Sequence, residues 1–165
     1  MELIAAEAGV SKTTLYRRWP NKAMLAVDVL ISVVQQQQIL FESGCYRDHL
    51  IKNLKALRNL LASDYADVIV SIIAETQHDE ALRELFYQRF LVPVQAIGDA
   101  DLDRALAGGE IRTVVDKDLV FDQMFGFFYY RLLVAHRPVP DAEIELIADA
   151  LLTVLNSPLL MEGGQ

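Results

Sequence analysis

Cysteine is almost absent. Cys45 is the only one in 165 residues, so no disulfide can form within the chain. A lone thiol suits a reducing compartment such as the cytoplasm, and Cys45 is expected to pack as a small, at least half-buried hydrophobe. Proline and glycine are also scarce, at 5 and 8 residues, while 53% of the chain is hydrophobic. That balance excludes disordered and fibrous classes. No run of about 18 uninterrupted apolar residues occurs, so no membrane-spanning helix is expected. The chain opens Met1-Glu2 with no basic cluster ahead of an apolar run, which speaks against a signal peptide. Catalytic patterns are missing as well. There is no phosphate-binding glycine loop and no spacing that supports a Ser/His/Asp or Cys/His grouping. His49, His78 and His136 are scattered, and each is expected at the surface. Glu75-x-x-His78 has the spacing of half a di-iron carboxylate site, but such sites need a second copy and this chain has none. The expectation is a protein that is not an enzyme and holds no metal or cofactor.

What is present begins at Ala5. The run A-A-E-A-G-V-S-K-T-T-L-Y-R-R-W-P-N-K, residues 5–22, reads as helix, tight turn, short helix and the start of a third. Small side chains at Ala5 and Ala8 allow close helix approach. Gly9 can take the positive φ that stops a helix abruptly, and Ser11 is a good N-cap for the next. Along Lys12 to Trp19, Val10, Leu15 and Trp19 are expected to point inward. Lys12, Thr13, Thr14, Tyr16, Arg17 and Arg18 point outward and include no carboxylate. A short helix of that character fits the major groove of B-DNA, about 12 Å wide.

The net charge of −8 is unevenly spread. Lys12, Arg17, Arg18 and Lys22 against Glu2 and Glu7 give the first 22 residues +2, which leaves −10 on the other 143. Cations gathered at one end suffice for phosphate contact, and an acidic remainder discourages adhesion elsewhere.

Helical periodicity continues to the C-terminus. Ala23, Met24, Val27, Leu30, Ile31 and Val34 share a stripe on a helix expected to run through the glutamines at 35–38 to Phe41. Leu50, Leu54, Leu57 and Leu61 mark the next helix, Arg47 to Leu61. Tyr65 to Gln77 is rich in β-branched residues, yet Ile69, Ile72, Ile73 and Thr76 keep helical spacing. Asp79 to Ala107 reads as one long helix kinked at Pro93 and ended by Gly108-Gly109. Asp118 to Ala135 is apolar on nearly every side and needs cover on every side. Asp141 to Leu155 carries Ile144, Ile147, Ala148, Leu151 and Leu155 on one stripe and Leu146, Ala150 and Val154 on another. Two helices with surplus apolar surface and a short joining turn predict a four-helix homodimer seam. The candidates for it are Phe121, Met124, Phe125, Tyr129 and Leu132 with Ile144, Ile147, Leu151 and Leu155. The fold class is all-α.

I-A-x-E-A-G-V-S at Ile4–Ser11, L-Y-R-R-W at Leu15–Trp19 and the following Asn21-Lys22 resemble the helix-turn-helix of the TetR/AcrR family of bacterial transcriptional regulators. G-E-I-R-x-x-x-D from Gly109, D-L-V-F-D from Asp118 and Y-Y-R-L-L at Tyr129–Leu133 resemble the same family further along. The resemblance implies a partial helix-turn-helix DNA-binding domain at 1–30, short at its start because the family's first helix is absent. Residues 31–165 would then form an effector-binding and dimerisation domain. It implies phosphate contacts from Tyr16 and Lys22 with Arg17 beside them, and contacts to base edges or nearby phosphates from the first turn, Ser11, Lys12, Thr13 and Thr14. It also implies a pocket for an apolar or aromatic small-molecule effector, whose occupancy alters the spacing of two reading heads. Gln37, Phe41, Ile73, Gln77, Phe86, Phe90 and Phe128 are the candidate lining, though ordinary core packing explains each equally well. The expected function is a cytoplasmic repressor on a palindromic operator in double-stranded DNA. The alternative is a helical dimer that binds a ligand or partner and whose DNA head is incomplete or unused.

Overall fold

The structure is a computed structural model that describes residues 1–36, 44–112 and 116–156. Its elements are helical: α1 (Glu2–Glu7), α2 (Lys12–Arg18), α3 (Lys22–Gln36), α4 (Tyr46–Leu61), α5 (Ala66–Thr76), α6 (Glu80–Phe86), α7 (Val92–Ala107), α8 (Lys117–Phe128) and α9 (Asp141–Leu155). No strand occurs among the described residues. The helix expected to run on to Phe41 is described to Gln36, and Gln37 and Phe41 lie outside the described residues. None of the described helices is long and apolar enough to cross a membrane.

Two helix stops follow one design. Gly9 (φ +64°) and Gly109 (φ +74°) both adopt the left-handed conformation. In each case the amide beyond the glycine reaches back five residues, Val10 to the Ala5 carbonyl at 3.0 Å and Glu110 to the Ala105 carbonyl at 2.9 Å. The glycine amides close the inner bond, Gly9 to Ala6 at 3.2 Å and Gly109 to Leu106 at 3.1 Å. This pairing satisfies carbonyls that a terminated helix leaves open.

The long helix expected from Asp79 to Ala107 is interrupted differently from a simple proline kink. Between α6 and α7 the backbone forms a π-helical turn, Tyr87–Leu91. Pro93 has no N–H for the Arg89 carbonyl, and its ring crowds that group, so the helix widens just ahead of the proline. A second π-helical turn, Tyr129–Val134, follows α8.

Contacts divide the described chain into two units. In the first, residues 1–36 and 67–93, α3 packs on α6 and on the first π-helical turn. Val27 and Leu30 are fully enclosed there, with Ile69, Ile72, Leu82, Phe86 and Phe90 also buried. In the second, the described residues within 44–66 and 94–156, α4 is the central element and packs on α8, the second π-helical turn and α9. Its core includes Leu50, Leu54, Phe128, Ile144, Ala148 and Leu155.

Two expectations about polar residues in the second unit fail. Cys45 is exposed because it caps the start of α4 and not a core position. His49 is buried at 1% exposure, since α4 turns it toward Asp101, also buried, with Nδ1 3.1 Å from Oδ1. Arg104 reaches the same carboxylate from one turn along α7. A buried charge is tolerable only with such partners. Tyr46, on the same helix, has its phenol pushed up to about 12 by burial and then by the Asp101 charge.

Ion pairs fasten α4 to α9 along their exposed edge. Arg47 grips Asp149 with Nε at 2.6 Å and Nη2 at 3.0 Å. Asp141, the first residue of α9, receives Lys55 at 2.8 Å and Arg58 at 2.5 Å. The hydrogen bonds from Lys55 and then Arg58 hold the Asp141 carboxyl below its ordinary range. A carboxyl depressed in the folded state contributes stability above its unfolded pKa, about 3.9, and loses it as pH falls through the lower folded value. Asp141→Asn is therefore expected to lower Tm at pH 7 by no more than a few degrees, as exposed pairs do. Thermal melts repeated down to about pH 2 should show the gap between variant and wild type closing below about pH 4.

Candidate nucleic-acid interface

The Ser11 hydroxyl starts α2. It accepts the Thr14 amide at 3.1 Å and meets the Thr14 hydroxyl at 2.8 Å. Seven residues follow before the chain leaves helical geometry at Trp19 (φ −129°, ψ 94°), ahead of Pro20. Leu15 anchors the helix at 4% exposure, and α1 packs beside it. Ser11→Ala is expected to cost about 1 kcal/mol through loss of the cap, seen as lower helicity and faster amide exchange over Lys12–Arg18.

Of the three side chains expected to point inward, Leu15 alone is buried. Val10 is 42% exposed because it lies in the turn, where no described element packs over it. Trp19 is half-buried, and its indole N–H donates to Asp28 Oδ2 on α3 at 2.8 Å. The Arg18 guanidinium lies 4.8 Å from the Trp19 ring centre, close enough for a cation–π contact.

All seven residues assigned to DNA contact, Ser11, Lys12, Thr13, Thr14, Tyr16, Arg17 and Lys22, are exposed. Lys12 pairs with Glu2 at 2.7 Å, both side chains well over half exposed. So exposed a pair is worth little and exchanges readily for a phosphate. α2 thus presents hydroxyls, a phenol and cations on an outward surface, with the Glu2 carboxylate loosely held beside it.

The described effector candidates fall in both units. Phe86 and Phe90 stack with ring centres 5.1 Å apart in the core of the first unit. Ile73 is half-buried in that unit, while Gln77 is exposed and donates to the Ile73 carbonyl at 3.2 Å. Phe128 is fully buried in the second unit, edge-on to Phe127 at 5.3 Å.

The seam candidates also separate. Ile144, Leu151 and Leu155 are buried within the chain, at 0%, 7% and 1% exposure. Ile147, Phe121, Met124, Phe125 and Leu132 are half-buried, Phe121 and Phe125 stacked at 4.3 Å, and Tyr129 is exposed. The apolar residues left most open on α8, α9 and the intervening turn are Leu119, Tyr130, Val134, Leu146 and Val154. Leu146 and Val154 belong to the second α9 stripe legible in the sequence. Tyr130 and Val134 also stand four apart, a signal available in the sequence but hidden in a segment apolar on every side.

Comparison with known proteins agrees along most of the chain. Residues 1–29 match the family model described as bacterial regulatory proteins, tetR family. Residues 40–151 match that described as tetracyclin repressor-like, C-terminal domain. The chain is 33% identical over 161 residues to the DNA-binding transcriptional repressor TetR of Mycobacteroides abscessus, covering 96% of this chain and 83% of that protein. It is 29% identical over 151 residues to the uncharacterized HTH-type transcriptional regulator YdeS of Bacillus subtilis, covering 91% and 76%. Among solved structures, the TetR family transcription regulator SCO0332 superposes with a TM-score of 0.81 at 32% identity, covering 92% of this chain and 84% of that one.

Proposed function

Since the chain belongs to the TetR family of bacterial regulatory proteins and is a helix-turn-helix transcriptional regulator, we propose that it represses from a palindromic operator as a homodimer and is released by a small-molecule effector. The observation that carries the DNA-binding part is α2 itself, a capped seven-residue helix with every assigned contact residue exposed and no carboxylate of its own. Residues 1–30 are the reading head in this account, and 31–165 the effector-binding and dimerisation domain.

Tyr16 and Lys22 hold phosphates, with Arg17 beside them. Lys12, Thr13 and Thr14 face base edges or adjacent phosphates, where a threonine methyl can meet a thymine methyl and its hydroxyl can donate or accept once. Ser11 contributes mainly by holding the first turn, since its oxygen is already engaged with Thr14. The seam forms from the open apolar residues of α8, α9 and the intervening turn, with Ile144, Leu151 and Leu155 backing it from inside the chain. The effector site is apolar or aromatic in character, with Phe86 and Phe90 its most coherent pair. A cytoplasmic location follows from the DNA partner.

Selection by the full chain from a random-sequence duplex library tests this reading. The expected result is enrichment of one inverted repeat. Recovery of no sequence above background, at low salt and with protein that is folded by circular dichroism, would contradict it.

A further inference from the structure

Asp28 does more than satisfy the Trp19 indole. Its side chain is 19% exposed, and its two oxygens face groups on different elements, Oδ2 through a hydrogen bond and Oδ1 through an ion pair that lacks hydrogen-bond geometry. Oδ2 accepts the indole N–H at 2.8 Å, at the end of α2. Oδ1 lies 2.9 Å from Arg89 Nη2, on the π-helical turn that packs against α3. All three residues belong to the first unit. A largely enclosed carboxylate needs compensation, and here a neutral N–H supplies one part and the Arg89 charge the other. Arg89 and the buried Phe90 are adjacent on the π-helical turn, a rare kind of segment that occurs frequently at functional sites.

We propose that Asp28 is the positioning residue through which the π-helical turn Tyr87–Leu91 sets the pose of the reading helix. This inference rests on α2 being the DNA-contacting element. Trp19 closes α2 and lies against Arg18, so the hydrogen bond to Asp28 fixes that end of the helix relative to α3. Arg89 holds the carboxylate in the orientation that meets the indole. Movement of the turn releases Asp28 and with it the end of α2. Asp28 and Arg89 touch no base or phosphate in this scheme.

The chemistry predicts an unusual mutational signature. Arg89→Met leaves Asp28 enclosed and undercompensated, and is expected to weaken binding of the duplex selected by the wild type about tenfold. Asp28→Asn keeps an acceptor for the indole while removing the charge, so its loss is smaller. Combining the two substitutions should restore affinity from the Arg89→Met level to that of Asp28→Asn alone, and Arg89→Lys should retain most of the wild-type value. Trp19 is the only tryptophan, so its emission reads the contact without DNA. Arg89→Met should shift that emission, and Arg89→Lys should shift it less. Unchanged emission in Arg89→Met, or losses that multiply in the double variant, would overturn the inference while leaving DNA binding intact. A wild type that selects no duplex would overturn the DNA reading and this inference together.

Discussion

A chain carrying Leu146→Lys and Val154→Lys is expected to sediment as a monomer and to bind its selected duplex on the order of 10²–10⁴-fold more weakly than wild type. Leu146 is 68% exposed and Val154 45% exposed, so charging them costs the isolated fold little. Lysine near the end of α9 also suits the negative end of the helix dipole. Across a two-fold seam, however, each lysine approaches its own copy or another open apolar residue, and burying it there is costly. Uncoupling two reading heads removes the advantage that makes the second half-site contact intramolecular, which is worth about 10²–10⁴ in apparent affinity. Sedimentation velocity and a duplex titration on the same preparation check both halves. Persistence of the dimer would move the seam away from this face of α9.

Tyr16→Phe with Lys22→Ala is expected to weaken binding on the order of 30-fold through one lost hydroxyl contact and one lost charged contact. The factor should be similar on the selected duplex and on an unrelated one, because phosphates carry no sequence. Only Lys22 releases a counterion, so the slope of log affinity against log salt should flatten by about 0.9 for the pair and not at all for Tyr16→Phe alone. An unchanged slope in the double variant would remove Lys22 from the phosphate contacts.

Much of this was legible before any coordinates, for reasons that differ between elements. Gly9, Ser11 and Pro20 act through local backbone chemistry, so the turn and the bounds of α2 follow from neighbours in sequence. α9, Asp141–Leu155, has the expected bounds because Pro140 precedes it and its apolar stripe is unbroken. The β-branched stretch at Ala66–Thr76 is helical because packing of Ile69 and Ile72 outweighs a weak strand propensity.

Non-local features were not legible. Pro93 announced a disturbance, but its resolution as a π-helical turn depends on what α3 offers that turn. His49 looked like one of three scattered histidines, and only the packing of α4 brings it to Asp101, fifty-two positions away. Asp28 gave no sign of joining Trp19 to Arg89. Which apolar stripe of α9 faces inward also required the other helices: Ile144, Leu151 and Leu155 pack within their own chain and leave Leu146 and Val154 outside.

Hydroxyl-radical footprinting of the wild-type chain on the duplex it selects tests the central claim most directly. Two reading helices on a two-fold axis predict two equal protected patches on one face of the DNA, their centres one helical turn of about 10–10.5 base pairs, or a whole multiple of it, apart. A single patch, patches on opposite faces, or protection that survives removal of the Lys12–Arg18 surface charges would contradict it.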